Sequence, residues 1–230
     1  QSYFRGASDP HLISQTIGDY LDGICERYPD NEALVVRHQD IRWTYRQFKT
    51  EIDRLASGLL ALGIVPGDRV GIWGPNSAEW IMVQYATASI GAIMVCLNPA
   101  YRLNELEYAL NKVECRAIVS AESFKTSQYL SMLQKLAPEL AHCEAGRLSA
   151  EKFPHLEMVI RMGDAHTPGM LNFAQVCDLG SEEHYRQLTA IKKTLQAEDP
   201  INIQFTSGTT GAPKGATLTH RNIINNGRLC

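Results

Sequence analysis

The 230-residue sequence is 44% hydrophobic and 20% charged, with a formal net charge of −3. That composition fits a globular protein of one large or two small domains with a sizeable core, and it offers no basic field of the kind a nucleic-acid binder uses. The longest apolar runs, such as 90–97, fall far short of the ~20 residues of a membrane span, and the opening QSYFRGASDP shows no secretory signal.

The six cysteines are scattered without a CxxC pair, and the seven histidines form no HExxH motif. No metal site can be built from local motifs, and reduced thiols in an intracellular compartment are expected.

The first predicted helix runs over 17–28, where Ile17, Tyr20, Leu21, Ile24, Cys25 and Tyr28 share one face. Pro29-Asp30-Asn31 stops it. Strands follow at 33–36 and 41–43, around the polar turn His38-Gln39-Asp40. Thr44 with Gln47 reads as a capping box. The helix it opens carries Phe48, Ile52, Leu55, Leu59 and Leu62, and Gly63 suits its C-terminal cap. A buried strand is predicted at 69–73, then a helix over 77–90 capped by Asn76 with Glu79. The continuous apolar run 92–97 reads as a strand buried on both faces.

Further on, Asn104 with Glu107 caps a short predicted helix ending at Leu110, followed by a strand at 116–119, a helix over 124–137 and a strand at 158–161. Residues 138–153 and 163–199 are weakly patterned and read as surface excursions, apart from a helix over 184–195. The alternation of strand and helix predicts an α/β fold: a mainly parallel sheet flanked by helices on both faces.

The densest chemistry lies near the end. Between predicted strands at 201–205 and 216–219 stand Thr206, Ser207, Gly208, Thr209, Thr210, Gly211, Ala212, Pro213, Lys214 and Gly215. Glycines let backbone amides approach an anion closely. The hydroxyls of Thr206, Ser207, Thr209 and Thr210 add donors, and Lys214 adds a mobile positive charge suited to phosphate. A solvated turn would account for Gly, Ser, Thr and Pro, but not for four hydroxyls, three glycines and a lysine within ten residues. A Walker loop is excluded: Pro213 stands where its second glycine belongs, Gly215 where its hydroxyl belongs, and a strand follows instead of a helix.

This stretch resembles the signature of adenylate-forming (AMP-binding) enzymes, a superfamily of acyl-CoA synthetases, luciferases and peptide-synthetase adenylation domains. Thr206 to Gly215 matches its (T/S)SG(T/S)TG-x-PKG form without a gap, and LTHRNIINN resembles the helix that follows. Upstream, WTYRQF, LASGLLALGIVPGDRV, WGPNSAEW and LNPAYRLNELEYAL keep the order of the family's amino-terminal domain; NPAY and DPINIQFTSGTTG are closest to the medium-chain acyl-CoA synthetase branch.

The resemblance implies a fatty acid–CoA ligase that uses ATP with Mg2+ to form acyl-AMP and then a coenzyme A thioester. Lys214 would be the catalytic cation. Thr206, Ser207, Gly208, Thr209, Thr210, Gly211, Ala212 and Pro213 would complete the nucleotide site. Residues 1–230 would be part of the large amino-terminal AMP-binding domain, without its remainder or the small carboxy-terminal domain, and inactive alone. Expected partners are ATP, a carboxylic acid and coenzyme A, with no nucleic acid and no transmembrane segment. The resemblance leaves room for a homodimer. The expected location is the cytoplasm, or the mitochondrial matrix if the source is eukaryotic and a targeting segment has been removed.

Two other readings stay open: a non-catalytic nucleotide-binding module, and an adenylation enzyme that loads a carrier protein. Elsewhere the structural reading is favoured. Gly74-Pro75-Asn76-Ser77 reads as a turn into a helix cap, Trp73, Trp80 and Tyr85 as core, and His220 as a helix start rather than a general base.

Overall fold

Thr16 shows how the local sequence builds this molecule. Its side chain accepts the Asp19 amide at 3.1 Å, and helix α1 (Ile17–Arg27) follows with Ile17, Leu21 and Cys25 buried. The computed structural model describes residues 11–206 and 213–229. Strands β1 (Glu32–Val36) and β2 (Ile41–Thr44) form an antiparallel pair. Helix α2 (Tyr45–Ala61) opens with the Thr44/Gln47 capping box and buries Phe48, Ile52, Leu55 and Leu59. Gly63 follows it at φ 82°, the left-handed conformation that a helix C-terminus favours in glycine.

The main sheet begins with β3 (Arg69–Trp73), α3 (Ala78–Ser89), β4 (Ile93–Cys96), α4 (Leu103–Lys112) and β5 (Ala117–Ser120). A short hairpin, β6 (Ser123–Phe124) with β7 (Ser127–Gln128), leads into α5 (Tyr129–Leu136). Then come β8 (Met158–Arg161), β9 (Leu171–Asn172), α6 (Phe173–Cys177), α7 (Glu182–Lys192), β10 (Pro200–Thr206), β11 (Lys214–Thr219) and α8 (His220–Leu229). The seven strands lie in the order β11-β10-β4-β3-β5-β8-β9, and all neighbours are parallel except β10 and β11. The expected mainly parallel α/β sheet is present.

Period-two alternation divides the core. Val70, Ile72, Met94, Val119 and Ile160 face a cluster supplied by α1, α2, α3, α6 and α7. Trp73, Val95, Ile118, Val159 and Ile203 face a second cluster built from α4, α5 and the chain that follows α5. A strand buried on both faces has no polar side to show, hence the unbroken apolar runs. Gly58 sets how closely α2 and α6 approach: a Cβ there would stand 1.8 Å from the Val176 carbonyl oxygen.

Four expectations change. The helix over 124–137 begins at Tyr129, because Lys125 at φ 54° turns the β6–β7 hairpin and the Glu122 carbonyl accepts the Tyr129 amide at 3.0 Å. Ser77, rather than Asn76, caps α3 by accepting the Trp80 amide, while Glu79 accepts from Gln39. Helix α4 starts at Leu103, with Glu105 accepting the Arg102 amide, so Asn104 is not its cap. Residues 138–153 and 163–199 are not merely surface. Leu140, Leu148 and Phe153 close one cluster, and Phe173, Val176 and Leu188 close the other.

Candidate functional site

Parallel strands carry their ligands past their carboxyl ends, and three such ends converge here. Ile72 pairs with Cys96 and Cys96 with Gln204, so β3, β4 and β10 end side by side. The continuations of β3 and β4, Gly74-Pro75-Asn76 and Asn98-Pro99, leave the sheet beside the end of β10. Between them lies a cleft of about 440 Å³ lined by Asn76, Trp80, Cys96, Asn98, Gln204 and Phe205, among others. The Gly74–Ser77 turn therefore does two jobs: it leads into the α3 cap and it walls the cleft.

The hairpin β10–β11 sets the mouth of the site. Phe205 pairs with Gly215 and Thr206 with Lys214, and the Thr206 hydroxyl donates to the Lys214 carbonyl at 3.4 Å. Thr206 and the Lys214 side chain are exposed at this rim. Gly215 lets the two strands close, since a Cβ there would sit 3.0 Å from Ile203 Cγ2. The strand after Lys214 agrees with the exclusion of a Walker loop. Of the expected site residues, Thr206, Pro213 and Lys214 are therefore placed together, whereas Ser207, Gly208, Thr209, Thr210, Gly211 and Ala212 lie outside the described residues.

Sequence reasoning did not single out the elements bracing this rim. Tyr101 meets Phe205 edge-on, with ring centroids 6.4 Å apart, and the Tyr108 hydroxyl donates to the Pro213 carbonyl at 3.4 Å. The available signal was in ELEYAL, where Leu106, Ala109 and Leu110 take the buried face and leave Tyr108 to look elsewhere. Behind the cleft, Asn202 is fully buried and donates to Gln84 at 3.1 Å, with Cys96 Sγ 3.8 Å from its Oδ1. Burial raises the Cys96 thiol pKa, against a weaker lowering by Asn202, so the cleft's thiol is held protonated and poorly nucleophilic.

Trp73 is core, as expected: it is fully buried and stacks on Tyr129 at 4.0 Å, and its Nε1 donates to the Asn98 carbonyl. His220 begins α8, also as expected. It is fully buried, and its Nδ1 accepts the Ile17 amide at 3.1 Å. Burial pushes its pKa down to about 4, with Asp199 and Asp19 pulling weakly upward. A neutral imidazole whose acceptor nitrogen is taken by a backbone amide is a structural tie between α1 and α8.

A second concavity, between α1, α2 and α7, is lined by Asp19, Asp22, Lys49, Asp53 and Lys192. Four of its charged groups pair with one another. Lys49 lies 3.0 Å from Asp22 and 2.6 Å from Asp53, and Lys192 also pairs with Asp22. Burial pushes the Asp22 carboxyl up, but Lys192 and Lys49 outweigh it and hold the group below its usual value. Such a network ties the three helices to each other.

Among the described residues, Cys25, Cys96, Cys115, Cys143 and Cys177 are free thiols, no group of three or more His, Cys, Asp or Glu could hold a metal ion, and no helix is long and apolar enough to cross a membrane.

The model of the AMP-binding enzyme family matches residues 21–230. This chain belongs to the AMP-binding enzymes. Among similar members, the medium-chain acyl-CoA ligase ACSF2, mitochondrial, of Bos taurus is 50% identical over 231 residues, covering 99% of this chain and 37% of its own. Its Rattus norvegicus counterpart is 49% identical over 229 residues, with the same coverage. The chain thus spans about 37% of the length of these AMP-binding relatives. In fold, it superposes on the anthranilate CoA ligase AuaEII, crystallised with anthranoyl-AMP, with a TM-score of 0.76 at 24% identity, covering 98% of this chain and 38% of that one.

Proposed function

We propose that this chain is the phosphate-gripping portion of a fatty acid–CoA ligase, an AMP-forming acid–thiol ligase. A carboxylate oxygen attacks the α-phosphorus of ATP and the bond to pyrophosphate breaks, giving acyl-AMP. The coenzyme A thiolate then attacks the acyl carbon, AMP leaves, and a thioester remains. Both steps call for alignment and charge stabilisation more than for covalent help from the protein.

The observation that carries this reading is the pairing of Thr206 with Lys214 at the mouth of the hairpin, beside the cleft where β3, β4 and β10 end. Lys214 neutralises charge growing on the leaving pyrophosphate. The hydroxyls of Ser207, Thr209 and Thr210 and the amides of Gly208 and Gly211 grip its oxygens, joined by Thr206 when its one proton turns from the Lys214 carbonyl to the ligand, with Ala212 and Pro213 completing the site. Magnesium is read as the companion of the triphosphate substrate, held largely by the phosphate oxygens. The relatives' names favour a medium-chain fatty acid as the acid and a mitochondrial location.

Acid-dependent ATP–pyrophosphate exchange in the full-length enzyme tests the assignment. Lys214→Ala and Thr209→Ala are each expected to slow exchange about a hundredfold, the scale of losing one preorganised charge-stabilising group. Exchange that survives both substitutions unchanged sinks the reading. The short span relative to the relatives supports a companion statement: the 230 residues alone complete neither half-reaction. Acyl-CoA made by the isolated chain would overturn it.

A further inference from the structure

Pro213 has no N–H, so its carbonyl is its only backbone hydrogen-bonding group, and the protein uses it. The Tyr108 hydroxyl, from α4, donates to that carbonyl across 105 residues of sequence at 3.4 Å. One residue later the chain enters the ladder, where Lys214 pairs with Thr206 and its carbonyl accepts the Thr206 hydroxyl. The two peptides that flank the Lys214 Cα are thus each held at their carbonyl, the first by Tyr108 and the second by Thr206.

The opposite limb of the hairpin is touched from the same direction, with Tyr101, just ahead of α4, against Phe205. Leu106, Ala109 and Leu110 root α4 in the core, so the two tyrosines tie an exposed rim to a rigid support. We propose that Tyr108 is a positioning residue: by holding the Pro213 carbonyl it fixes where Lys214 leaves the hairpin, and so where its ammonium group meets the β- and γ-phosphates of ATP. This rests on the reading of the loop as the triphosphate holder. It adds a residue that contacts no substrate and acts through Lys214.

Tyr108→Phe removes one oxygen and keeps the ring, so its effect isolates the hydrogen bond. Two measurements on the full-length enzyme separate the brace from the loop reading. The first needs no nucleotide. Trypsin cuts after Lys214, and releasing the Pro213 carbonyl should speed that cut about threefold or more while the melting temperature stays unchanged. An unchanged cleavage rate, or a rate that rises only in step with a falling melting temperature, overturns the brace.

The second measurement is calorimetric binding of MgATP and of AMP, which lacks the outer phosphates. Tyr108→Phe should weaken MgATP about three- to tenfold, the scale of one hydrogen bond, and leave AMP within about twofold. Lys214→Ala should weaken MgATP further. If Lys214→Ala weakens MgATP and Tyr108→Phe does not, the brace fails and the loop reading stands. Equal weakening of MgATP and AMP in Tyr108→Phe makes the contact merely structural and also removes the proposal. Wild-type enzyme that binds no MgATP, or binding unaltered in Lys214→Ala, removes the loop reading and the proposal with it.

Discussion

The centre of the sheet and its hairpin edge are made of the same backbone ladder and of opposite side chains. In β3 and β5, Val70, Ile72, Trp73, Ala117, Ile118 and Val119 are wholly buried. In β11, Lys214, Gly215, Ala216 and Thr217 are exposed. Burying one large aliphatic side chain is worth about 1.5–3 kcal/mol, so the centre supplies stability. The edge supplies hydroxyls, glycines and a cation, which return little stability and can meet an anion. Among the described residues β11 pairs with β10 alone, and Gly215 and Lys214 place chemistry on that strand.

The largest test of this contrast is a cavity at the centre. Ile72→Ala removes a buried side chain between β4 and β5 and should cost about 2–5 kcal/mol, the range for emptying a packed core site. Equilibrium unfolding in denaturant reads it as a lower midpoint with an unchanged slope. A loss below about 1 kcal/mol would mean that the centre is not the stabilising region.

His220 offers the next test, because it is the buried residue that opens α8 directly after the hairpin strand. Its folded pKa is depressed to about 4 from 6.5 by burial. Below pH 6.5 the unfolded chain therefore binds a proton that the folded chain refuses. The contribution is complete above pH 6.5 and is lost as pH falls toward 4. It amounts to about 3 kcal/mol over that window. Protonation of Nδ1 would also end its acceptance of the Ile17 amide. Unfolding free energies across pH 4–7 should slope steeply in the wild type and less in His220→Gln, whose side-chain oxygen can still accept that amide. Parallel slopes in the two proteins would remove His220 from the account of acid sensitivity.

The centre was also the most legible region. The predicted strands at 69–73 and 158–161 coincide with β3 and β8 because an apolar run bounded by turns has one outcome in an α/β layer. The Thr44/Gln47 box was legible because both partners are local. Errors arose where a distant partner decided the matter. Glu79 reads as half of a cap until Gln39, forty residues away, takes its carboxylate. Residues 138–153 read as surface because Leu140, Leu148 and Phe153 follow no helical or strand period, yet they close the second core cluster. Of the candidate site, the hairpin that brings Thr206 opposite Lys214 was legible from the two strands predicted on either side of the loop. Its support was not: Tyr108 reaches Pro213 only through the folded position of α4.

The smallest expected effect sharpens the comparison furthest. Lys214 is exposed and lies on an edge strand, and exposed substitutions away from caps and buried networks usually change stability by less than about 0.5 kcal/mol. Lys214→Ala should therefore unfold at the wild-type denaturant midpoint, even though the same substitution is expected to slow exchange about a hundredfold. That combination separates a residue that acts on a ligand from one that holds the fold. A stability loss above about 1 kcal/mol would place Lys214 in the packing of the hairpin, and its loss of activity would then report a damaged edge instead of a missing charge.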